Sequence, residues 1–111
     1  MITESIHLRQ IAFARSGDKG AHANIAVFAY TDEGYQFLKE NLTEKTVQHY
    51  FQSLDPDRTV RFDVPNLNAF NFVLYNILDP LRTDSQGKAL GQALLELELP
   101  ITEEKLSLCQ R

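Results

Sequence analysis

The chain has one cysteine, Cys109, so no disulfide can close within it and a thiolate metal cluster lacks its ligands. No stretch approaches the roughly 18 apolar residues of a membrane-spanning helix. The first ten residues, MITESIHLRQ, lack the basic and then apolar pattern of a secretory leader. A cytoplasmic location is therefore expected. Basic clusters are missing too: 11 Lys and Arg stand against 15 Asp and Glu, a net charge of -4, which argues against nucleic acid and anionic membrane surfaces as partners. No repeat, low-complexity segment or linker-length run of Pro, Gly or Ser divides the 111 residues, and one domain over 1–99 with a C-terminal tail over 100–111 is expected. His7, His22 and His49 fall on different elements without metal-ligand spacing. Neither a metal nor a cofactor is expected.

What remains is 43% hydrophobic and 23% charged, the balance of a globular domain with its own core. Residues 7–14 (HLRQIAFA) and 24–30 (NIAVFAY) read as strands joined by a loop. The second is apolar on both faces, as in a central strand covered twice, by helices and by a partner subunit. Asp32 reads as the cap of a helix over 33–42, and Thr43 as the cap of another bearing Val47, Tyr50, Phe51 and Leu54 on one stripe. Residues 59–64 (TVRFDV) alternate, with Val60, Phe62 and Val64 expected inward. After Pro65, Asn66 can cap a third helix over 67–78, carrying Leu67, Phe70, Leu74 and Leu78 on one side and Asn68, Asn71 and Tyr75 on another. Residues 81–83, a turn at 84–87 and 88–99 read as a hairpin through the alternation of Leu95, Leu97 and Leu99. A helix over 88–97 competes, with Gly91 against it. This order predicts an α+β, ferredoxin-like two-layer sandwich with a mostly antiparallel sheet and about three helices.

The densest set of functional residue types is 15–24, RSGDKGAHAN. Gly17 and Gly20 permit positive φ and close approach, so successive N–H groups could cup an anion while Arg15 and Lys19 supply charge. The bland alternative is a tight connection in which Asp18 caps a turn and Lys19 is solvated. Ser16 and Lys19 match S-x-x-K, but without the companion motifs of the penicillin-binding enzymes. His22 alone could act as acid or base. Asn68 and Asn71 either satisfy buried backbone groups or face a ligand or an interface.

RSGDKG with Ala23-Asn24-Ile25, Pro65-Asn66-Leu67 with Ala69 and Asn71-Phe72, and Gln86-Gly87-Lys88 with Leu90-Gly91 together resemble the small C-terminal domain of the acyclic terpene utilisation protein A family, used by bacteria in citronellol and geraniol catabolism. The likeness runs over about residues 7–99 and implies a ferredoxin-fold domain in stand-alone form, without the family's large N-terminal domain. The sequence departs from the family at Ala21-His22 and at residues 75–80. The leading expectation is a non-catalytic accessory module, a homo-oligomer that also binds a larger subunit of the family, with Arg15, Ser16, Gly17, Asp18, Lys19, Gly20, Asn24, Asn68 and Asn71 contacting a ligand or partner. The alternative is a small enzyme or acyl- or phosphate-ligand binder in terpenoid or acyl-CoA catabolism. There Arg15 and Lys19 would hold a small anionic ligand, Asn68 and Asn71 would orient it, and Asp18 or His22 would move a proton.

Overall fold

A computed structural model describes residues 3–77 and 86–111. Strand β1 (Thr3–His7) is followed by a 3-10 turn (Leu8–Gln10), and β2 (Ala12–Lys19) and β3 (His22–Ala29) form a long hairpin. The single strand expected over 7–14 is thus the end of β1, a turn and the start of β2. Helices α1 (Asp32–Asn41) and α2 (Glu44–Tyr50) precede β4 (Thr59–Val64) and β5 (Ala69–Leu74). Helix α3 (Gln86–Leu94), β6 (Glu98–Thr102) and α4 (Glu103–Cys109) complete the chain. Four helices are present among the described residues rather than about three, and the expected run 81–83 and turn at 84–85 lie outside the described residues.

The main sheet has the order β2-β3-β5-β4, antiparallel throughout, and a separate two-stranded sheet pairs β1 with β6. Since β3 and β4 both run antiparallel to β5 between them, they are parallel to each other and linked through α1 and α2, a split β-α-β unit. A second parallel pair, β5 and β2, flanks β3. In a ferredoxin-like sandwich the strand beside β3 would follow α3; here β2, ahead of β3 in the chain, takes that place.

The helices cover one face of this sheet. Ile25, Val27, Phe70, Phe72 and Leu74 face them, fully buried with Leu38, Leu42 and Val47. Local chemistry sets the helix starts: Thr31 Oγ1 accepts the Gly34 N–H at 2.9 Å and Thr43 Oγ1 the Thr46 N–H at 3.2 Å, removing donors that the first turn leaves unpaired. The cap of α1 is Thr31, one residue before the Asp32 expected for it.

Three assignments are corrected. The helix expected over 67–78 is, as far as the described residues reach, a 3-10 turn (Pro65–Leu67), a left-handed Asn68 at φ 51° and strand β5, while Leu78 lies outside the described residues. The pair Phe70 and Leu74 is i, i+4, which lies on one side of a helix and equally on one face of a strand. Buried Phe72 between them settles for the strand. The stretch 88–99, expected as the second strand of a hairpin, is instead helix α3, close to the competing helix over 88–97, followed by β6. Gly91 belongs in that helix because a Cβ there would stand 2.9 Å from Ser16 Oγ, so it allows α3 to lie against β2. Finally, β4 is turned over. Thr59 and Arg61 face the helices, where the Arg61 guanidinium donates to the Lys39 and Leu42 carbonyls at 3.0 Å and to Asp63 at 2.8 Å, leaving Val60, Phe62 and Val64 on the other side.

Residues 103–109, within the stretch expected as a tail, form α4, which lies on α1 and buries Cys109. Thr31 Oγ1 donates to the Leu108 carbonyl at 2.9 Å, tying the two helices end to end. Burial pushes the Cys109 thiol up, against a smaller opposing effect of Lys105, with Glu33 adding to the rise.

Candidate functional site

Among the described residues, no element covers the face of the main sheet away from the helices, hereafter the open face. The register sets its side chains in rows across four strands: Phe13, Phe28, Ala69 and Val64; then Arg15, Ala26, Asn71 and Phe62; then Gly17, Asn24, Val73 and Val60. Phe13 is 41% and Phe62 51% exposed, large values for aromatic residues in sheet strands. Phe13 and Phe28 stack at 4.9 Å, and Tyr30 extends this aromatic end, 5.8 Å from Phe13.

At the opposite end, beside the hairpin tip, lies a cavity of about 260 Å³ lined by His22, Ala23, Asn24, Val73 and Tyr75. Its walls are held in place. His22 Nδ1 accepts the Asn76 backbone N–H at 3.0 Å, which makes Nε2 the protonated nitrogen of the neutral ring. The imidazole meets the Tyr75 ring edge-on at 4.8 Å, and the Arg58 guanidinium lies 4.3 Å from the centre of that ring. Asn76 reaches this position through a left-handed backbone, φ 59°, and its amide donates to Asp57 Oδ2.

The residues singled out from the sequence divide among these places. Arg15, Gly17, Asn24 and Asn71 share the open face. Ser16 points the other way, its Oγ accepting the Gly91 N–H at 2.9 Å, and so serves the seat of α3. Asp18 is exposed on the same strand and falls on that same opposite side. Lys19 pairs with His22 across the hairpin. Gly20 occupies the turn at φ 65°, the one described glycine that uses positive φ; Gly17 sits in regular strand pairing. Most of the loop expected over 15–24 is therefore a β-ladder, in which the N–H groups on the β3 side are occupied. Asn68 lies at the far end of β5, donating to Asp32 Oδ1 at 2.9 Å, roughly 16 Å along the strand from the cavity at about 3.3 Å per residue.

Among the described residues, the Arg15 guanidinium, His22 Nε2 and the Asn24 and Asn71 amides have no hydrogen-bond or ion-pair partner, and Asn71 Oδ1 is buried without one. The sequence reading missed the open-face role of Val73 and Phe62. Their signal was the alternation of 59–64 and 69–74, which separates two faces without saying which is covered. No group of three or more His, Cys, Asp or Glu among the described residues could hold a metal ion, and no described helix is long and apolar enough to cross a membrane.

The model of the AtuA ferredoxin-like domain family matches residues 6–100. No curated protein and no solved structure matches the chain.

Proposed function

The chain belongs to the AtuA ferredoxin-like domain family, and on that premise we propose that it acts as a cytoplasmic, non-catalytic accessory module that associates with a second copy of itself through the open sheet face. The observation that carries this reading is the composition of that face. In a chain with 26 charged side chains (11 + 15), Arg15 is the one charged residue in the three rows set out above, beside exposed Phe13 and Phe62 and unpartnered amides. Depletion of charge around aromatic and aliphatic groups marks the centre of a subunit contact, and an uncovered apolar sheet face is unusual on a lone domain. The asparagines suit such a contact, since their amides can pair across it.

Light scattering coupled to size exclusion tests the reading. A dimer or higher oligomer is expected at micromolar concentration, converting to monomer in Phe62→Glu, a change at a half-exposed side chain that leaves the core intact. A wild-type monomer with no self-association would overturn it. Mixing with a larger chain of the family distinguishes the occupant: a mixed complex that displaces the homo-oligomer puts that subunit on the face instead.

A further inference from the structure

We propose that the cavity beside the hairpin tip binds a small carboxylate with a short apolar body. The cavity, about 260 Å³, falls just under the ~300–1,000 Å³ of drug-sized sites, so its occupant is small. Val73, the Tyr75 ring and Ala23 supply the apolar wall. The polar groups are biased toward donation. His22 Nε2 carries the proton because the Asn76 N–H occupies Nδ1, and the Asn24 amide has no partner among the described residues.

Positive charge stands on both sides. Arg15 is one strand over and two residues from Gly17, the residue paired with Asn24, and Gly17 puts no side chain between them. Arg58 stacks on Tyr75 at the other rim. Neither guanidinium is in an ion pair among the described residues, whereas Asp57, the nearby acid, is engaged by the Asn76 amide. A cation beside neutral donors and an apolar wall selects a monoanion with a hydrocarbon body. The hairpin N–H groups that face β3 are committed to the ladder, so they cannot form the multidentate cradle a phosphate dianion favours. This inference rests on the cavity and not on self-association.

The test is a titration of the full chain, followed in 1H–15N spectra, with 3-methylbutanoate, its neutral amide and inorganic phosphate. Saturable shifts at residues 22–24 and 73–76 are expected with the acid, binding about tenfold more weakly for the amide, and none of these shifts with phosphate. Arg15→Gln, at an exposed position, should weaken the acid about threefold and narrow its advantage over the amide. Asn24→Leu should fill the cavity and abolish the response. Equal binding of acid and amide, no saturable shift up to about 10 mM, or a response unchanged in both variants would overturn the proposal. Light scattering on the same samples reads the assembly separately, so a lost ligand site and a lost interface are told apart.

Discussion

The two faces of the main sheet are built from the same four strands and have opposite economies of polar groups. Beneath the helices, Ser16 holds the Gly91 N–H, Thr59 donates to Gln48, whose own amide donates to the Pro56 carbonyl, and Arg61 binds Asp63 and two helix-end carbonyls. On the open face Arg15, Asn24 and Asn71 hold nothing among the described residues. Buried polar groups in native proteins are nearly always satisfied, and this chain satisfies them wherever its own helices reach. The exception is the Asn71 amide oxygen, buried without a partner on the side that the described helices do not reach.

Substitution should separate the two faces sharply. Phe72→Ala, under the helices, is expected to cost about 3–5 kcal/mol in chemical denaturation, while Phe62→Ala on the opposite face should change monomer stability by about 0.5 kcal/mol or less and weaken association instead. Equal losses would erase the distinction. Next in size, Gly91→Ala forces a methyl to 2.9 Å from Ser16 Oγ and should cost about 1–3 kcal/mol, most of it recovered when Ser16→Gly is added; a double-mutant cycle on melting temperature reads the coupling. Asn71→Val removes an orphaned acceptor and suits a strand, so the monomer should gain about 1 kcal/mol in denaturant midpoint while the assembly weakens. A loss of monomer stability would show that the amide is already satisfied in solution.

The smallest effect is in the covering layer and depends on pH. The Cys109 thiol is raised above its ordinary 9.0 by burial, so the folded state holds the proton more tightly than the unfolded one. Its contribution is fully present below about pH 9 and is lost as pH rises through the folded value. Tyr50, whose hydroxyl donates to the Ala93 carbonyl at 2.6 Å, is raised above 10.0 by burial and then by Glu96. Its loss has the same sign and begins later. Cys109→Ala should move the alkaline onset of destabilisation from near 9 toward 10 in denaturation midpoints measured across pH; an unchanged onset would place the effect elsewhere.

How far the sequence shows this architecture varies by element. The α2 start was legible because its capping Thr43 acts locally, the α1 start to within one residue because Asp32 stands next to the true cap Thr31, and β3 because its apolar run is bounded by polar turns. Residues 69–74 were not, since spacing by four serves both periods and only the neighbours β3 and β4 decide. The inversion of β4 has the same origin: Arg61 reads as a solvent residue until the carbonyls at the α1 terminus are placed over it. For the candidate site, the 15–24 segment stood out by composition. That Asn24 and Asn71 share a face while Asn68 lies far off depended on register, and register is a tertiary fact.

The pairing of β1 with β6, in which Thr3 meets Thr102 and His7 meets Glu98, has a consequence in time. Elongation at about 5–20 residues per second separates the two strands by roughly 5–20 seconds on the ribosome, and their contact closes a loop of most of the chain. Strand β1 must wait, and its composition fits the wait: Thr3, Glu4 and Ser5 are exposed even in the finished fold and only Ile6 is buried. A polar strand with one apolar anchor offers little to an aggregating neighbour. The helix-covered sheet, whose pairings all lie within residues 12–74, is expected to assemble first, with the β1–β6 clasp as its last step.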